Sequence, residues 1–211
     1  MCIRDSMGEI SNLKRFFRSN GRGLAVASLG TLCLVLFRYH GFGSLALRYA
    51  LFYIAIPAAG LLAIRMNPLD TGLRLGDLRS WRIHVPAACA VSLAIVALGS
   101  RFESVGAYYE PRSTTPLALY IAERIVIIFA VEYLFRGFLL FGLKRDFGER
   151  AVLVQMIPFA LLHAGKPEIE AIGCIATGLY FGYVAYRTGS VWPVFIIHLF
   201  ANVANRIAHA L

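Results

Sequence analysis

The sequence predicts an all-α, polytopic transmembrane bundle of about seven spans with a polar cavity near the midplane. Composition and one recurring pattern predict it. Of 211 residues, 58% are hydrophobic and 16% charged, and the mean hydropathy is +0.66. Soluble domains run at about 45–50% apolar and about 25% charged, so too little polar surface remains here to coat a water-soluble body. The pattern is a series of uncharged apolar stretches, at 23–37, 49–64, 83–100, 151–165, 171–186 and 188–205. A seventh stretch, 116–143, is apolar but carries Glu123, Arg124, Glu132 and Arg136.

Several stretches are shorter than the roughly 20 residues that cross a bilayer. Flanking Arg22, Arg38 and Arg65 can snorkel and lengthen them. The first stretch follows Lys14, Arg15, Arg18 and Arg22, as a signal peptide would. No small-x-small cleavage site follows it, so a retained helix is expected. The leading hexapeptide, Met1 to Ser6, looks like translated sequencing-adapter residue, which would place the natural start at Met7. No repeat or low-complexity segment divides residues 7–211, so a single integral-membrane domain is expected.

Basic residues orient the chain. With the N-terminus in the cytoplasm, the inner segments hold Lys14, Arg15, Arg18, Arg22, Arg65, Arg74, Arg79, Arg82, Lys144, Arg145, Arg150 and Arg187. The outer ones hold Arg38, Arg101, Arg112, Lys166 and Arg206. The expected location is a cell membrane, a bacterial inner membrane, with the C-terminus outside. The net charge of +9 is then assigned to anionic headgroups. A nucleic-acid partner is not expected, because no basic stripe interleaves with exposed aromatics. Cys2, Cys33, Cys89 and Cys174 show neither a CxxC nor a Cys/His zinc spacing, and read as packing residues.

Polar groups inside the apolar runs carry the functional signal, since a charge at mid-bilayer costs about 2.5–3.5 kcal/mol on insertion scales. Glu132 and Arg136 are four residues apart on one helix face and can neutralise each other. Phe159 and His163 repeat that spacing, and so do His198 and Asn202. At about 1.5 Å per residue, Glu132, His163, His198 and Asn202 all fall near the midplane and can converge. A carboxylate, two imidazoles and an amide suit peptide hydrolysis by activated water, one pair taking a proton and the other holding the oxyanion.

Glu-x-x-x-Arg, Phe-x-x-x-His and His-x-x-x-Asn, in that order on separate helices, resemble the CAAX protease and bacteriocin-processing family of intramembrane endopeptidases. The resemblance covers about residues 116–205. It implies a membrane-embedded protease acting on a membrane-associated peptide or protein. Glu132 and His163 would fall in its water-activating motifs, with Arg136 and Phe159 in support, and His198 and Asn202 would match its oxyanion-stabilising pair. The family's first motif usually has two adjacent glutamates, and here Val131 stands at the first position. That departure leaves three expectations open: Glu132 takes over, Glu168 or Glu170 assists from the loop after His163, or catalysis is impaired.

The alternative reading is a non-catalytic membrane protein on the same scaffold, with an immunity, binding or assembly role. Transport through the same Glu and His residues is a third, without the repeated halves that transporters show. No cofactor is expected, although Glu132, His163 and His198 include the donor types of a zinc site. Neither a His-Glu-x-x-His motif nor an intramembrane aspartyl pair is present, Asp70, Asp77 and Asp146 all being expected in loops.

Overall fold

Long apolar helices joined by short turns make up the computed structural model, which describes residues 3–109 and 115–209, with side chains from Gly21 onward. The outer residue Arg112 therefore lies outside what is described. The elements are α1 (Ile3–Tyr39), α2 (Leu45–Tyr49), α3 (Ile56–Ala63), α4 (Leu78–Gly99), α5 (Glu103–Tyr109), α6 (Leu117–Glu132), α7 (Leu140–Phe147), α8 (Ala151–Leu162), α9 (Glu168–Thr188) and α10 (Trp192–Ala208). Two π-helical runs interrupt the ordinary winding. Ala50–Ala55 joins α2 to α3, and Tyr133–Leu139 joins α6 to α7. No strand occurs among the described residues.

Among the described residues, five helical stretches are long and apolar enough to cross a membrane: Gly21–Tyr39, Leu45–Ala63, Leu78–Gly99, Leu117–Leu162 and Glu168–Thr188. The chain is thus a multi-pass membrane protein. Leu117–Leu162, at 46 residues, takes in two of the expected spans, which turn back on each other at Gly148–Arg150. The expected span 188–205 begins later than the sequence suggested. Thr188 closes α9, Gly189 adopts the left-handed conformation that ends it (φ 68°), and α10 starts at Trp192. Asp146 lies in the last turns of α7 rather than in a loop.

The core sits on the α6–π–α7 rod. Every residue from Tyr133 to Leu140 is buried, with Leu134, Phe135 and Phe138 wholly so. α1 and α3 pack on this rod from one side and α8 and α9 from the other, while α10 lies between α6 and α4. The 64–77 loop clasps the turn between α9 and α10. Val191 N donates to Gly72 O (2.9 Å) and Asp77 N to Thr188 O (2.8 Å). Trp192 Nε1 donates to Leu73 O (2.8 Å). Gly76, at φ +64°, is needed there because a Cβ would overlap the Thr188 carbonyl. The clasp fixes the start of α10, and hence the depth at which α10 carries His198.

Candidate active site

Glu132 is the last residue of α6 and Arg136 lies in the π-helical run that follows. Both side chains are fully buried. Arg136 Nη1 is 3.2 Å from Glu132 Oε2 and 3.3 Å from Oε1. The guanidinium and the carboxylate balance each other's charge, and their attraction offsets the desolvation that each pays on burial.

The second partner of Glu132 comes from the other end of the sequence. His198 Nδ1 on α10 lies 2.6 Å from Glu132 Oε1. An ionised carboxylate can only accept, so Nδ1 carries the hydrogen, and Nε2 is the ring nitrogen left to exchange a proton. The same logic sets the other imidazole. His163, at the C-terminal cap of α8, has Nδ1 2.9 Å from the Phe159 carbonyl, so its Nε2 is again the free acceptor. Both rings therefore present the nitrogen that can take a proton from water.

Phe159 ties these groups together. The Arg136 guanidinium sits 3.9 Å from its ring centroid, a cation–π contact between two buried side chains. The His163 ring lies 4.6 Å and the His198 ring 6.5 Å from the same centroid. Phe181 on α9 closes the far side, 5.7 Å from His198 and 5.4 Å from the guanidinium carbon. The Arg136 charge is thus held by a carboxylate on one side and an aromatic face on the other.

The four expected residues are not equally joined. Glu132 meets His198 directly, and His163 reaches the cluster through Phe159. Asn202, one turn beyond His198, spends an amide hydrogen on the His198 carbonyl (3.1 Å). Val131 is buried in the apolar core, about 100° around the helix from Glu132. Glu170 is engaged elsewhere: it accepts from the Tyr109 hydroxyl at 2.9 and 2.7 Å and pairs with Lys166 at 2.5 Å. Burial and the facing Glu170 carboxylate hold the Tyr109 hydroxyl well above the usual phenol range, so it remains a donor. Among the described residues, no three His, Cys, Asp or Glu side chains are grouped so as to hold a metal ion.

Sequence reasoning missed Gln155. It is fully buried on α8, and its Nε2 donates to the Gly178 carbonyl of α9 at 3.0 Å. Arg136 Nη2 donates to that same carbonyl at 3.4 Å. The signal was present, since Gln155 precedes Phe159 by four residues, as Phe159 precedes His163. No curated protein and no solved structure matches the chain. Residues 113–204, which carry all three motifs, match the family described as type II CAAX prenyl endopeptidase Rce1-like, and that match supports a membrane-embedded CAAX-type endopeptidase in general.

Proposed function

We propose that this protein is an endopeptidase of the cell membrane that hydrolyses a peptide bond in a membrane-associated peptide or protein. The Glu132–His198 contact carries the reading. It joins residues 66 apart in sequence at 2.6 Å and leaves Nε2 of His198 free. Water attacks the carbonyl carbon and gives its proton to that Nε2. The carboxylate of Glu132 then faces an imidazolium, which it stabilises. His163 holds the same tautomer and offers a second acceptor for the water. The amide of Asn202 and the imidazolium supply donors to the oxyanion. Collapse of the tetrahedral species breaks the C–N bond as the imidazolium returns its proton to the leaving nitrogen. Arg136 keeps Glu132 ionised throughout.

The N-terminus is placed in the cytoplasm. Reporters fused after Arg74 and after Lys144 should read cytoplasm, and one after Arg112 the exterior; an external reading at Arg74 reverses the orientation.

The test of chemistry is accumulation of uncut membrane substrate in cells carrying each variant at matched expression. Glu132→Gln, His163→Ala and His198→Ala should each abolish cleavage. Asn202→Ala removes one donor, which typically costs about 10²–10³ in rate, so weak cleavage should survive. The buried Val131, standing where the resembled family has its first glutamate, favours the non-catalytic scaffold. Normal processing by both His163→Ala and His198→Ala would establish that second reading instead.

A further inference from the structure

Gln155 has no evident reason to be polar. Burying an amide costs free energy unless its hydrogen bonds are made, and its neighbours here are apolar. Two glycines one turn apart on α9 bring the helices close, Gly182 making room for Gln155 and Gly178 for Phe159. A Cβ on Gly182 would overlap the Gln155 amide, and one on Gly178 would come within 2.9 Å of Phe159 Cδ1. The amide donates to the Val152 carbonyl on its own helix and to the Gly178 carbonyl on α9, each at 3.0 Å. The Gly178 carbonyl is also the acceptor of Arg136 Nη2. Two side chains from different helices thus meet at one backbone oxygen.

That oxygen is the second fixed point of the guanidinium, Glu132 being the first. Besides Glu132 Oε2, which keeps its ion pair with Arg136, two buried atoms of this cluster have no hydrogen-bond partner, Oε1 of Gln155 and Nε of Arg136. One is an acceptor and the other a donor, on side chains that already converge. We propose that Gln155 is a positioning residue for the catalytic cluster. By fixing the Gly178 carbonyl and α8 against α9, it sets where the Arg136 guanidinium lies, and through it the Glu132 carboxylate and the His198 ring. This rests on the hydrolase reading above, and it adds a residue that touches none of the reacting atoms.

The test uses the full chain in vesicles with a set of lipid-anchored, quenched peptides as probe. A second readout is the rate at which diethylpyrocarbonate labels His198, measured by mass spectrometry with exposed His40 as the internal control. Gln155→Leu preserves bulk and removes the amide. Its kcat should fall by about 10²-fold, the usual cost of a small misplacement, with KM unchanged and His198 labelling altered several-fold. Gln155→Glu keeps the shape but competes with Glu132 for Arg136. Its kcat should be equally low at neutral pH and recover as the pH is lowered and the introduced carboxyl takes up a proton, a profile that packing alone does not produce. Wild-type kcat and His198 labelling in Gln155→Leu would overturn the proposal. Should that variant not fold, a flat pH response of Gln155→Glu relative to wild type would overturn it equally. If the wild type cleaves no probe, the hydrolase reading fails, and His198 labelling in the two variants still decides the role of Gln155.

Discussion

Two apolar stretches of nearly equal hydropathy meet opposite environments in this protein. The most apolar 18 residues of Leu117–Leu162 have a mean hydropathy of 2.0 and 78% of them are buried within the protein, whereas those of Leu78–Gly99 reach 1.7 with 6% buried. Lipid tails are as apolar as a protein core, so hydropathy reports only that both avoid water. What separates them is charge. The buried stretch holds Glu132 and Arg136 near its middle, and such groups must face protein partners. The α4 stretch instead presents Val91, Leu93, Ile95 and Leu98 outward, each more than half exposed.

Several substitutions would sharpen or break that contrast. The largest effect is expected from Arg136→Ala, which leaves Glu132 buried with its charge no longer balanced by the guanidinium. Removing one partner of a buried pair costs about 3–5 kcal/mol, read as a lowered melting temperature in detergent together with lost function. Wild-type melting would mean the pair is not formed. Next comes a matched pair of leucines. Leu134 is wholly buried and Leu93 is 51% exposed, so Leu134→Ala should cost about 2–5 kcal/mol. Leu93→Ala should stay within about 0.5 kcal/mol. Equal losses at the two sites would show that α4 packs against a partner rather than lipid.

A comparably small effect belongs to a second arginine on the same rod. Arg124 lies 3.3 Å from Glu123, with the two side chains 24% and 39% exposed. Partly exposed pairs contribute about 0–1 kcal/mol, so Arg124→Ala should barely move the melting temperature. An effect as large as that of Arg136→Ala would place this end of α6 in a much drier setting than its exposure indicates.

Much of the fold was legible because the bilayer imposes it: apolar length gives the spans, and spacing puts Glu132 beside Arg136. The four-residue repeat likewise put Phe159 next to His163. The pairing of Glu132 with His198 was not legible, because i to i+4 arithmetic works within one helix and says nothing of the rotation of α10 about its axis. That rotation is set by the clasp of Leu73 and Gly72 on Trp192 and Val191, contacts that the loop makes through its backbone carbonyls and that therefore leave no side-chain signature in it. Gln155 escaped for a related reason. Its partner is a carbonyl exposed by Gly178 and Gly182, and two glycines in an apolar helix read as helix weakness before they read as room.

The π-helical run Tyr133–Leu139 has a consequence for how homologous chains are aligned. A π turn accommodates one more residue than an α turn. A single deletion among residues 133–139 would restore α winding and leave the hydropathy profile intact. Because the π run absorbs the extra residue within its turn, everything beyond it would keep nearly the same facing relative to Glu132. Lys144, now 4.2 Å from the Tyr186 ring, would stay within reach of that contact, and the α7 face that meets α1 and α8 would keep its direction. A one-residue gap at this place is therefore a local change of winding, while a gap of the same size inside α9, which is α-wound throughout, would turn everything beyond it by about 100°.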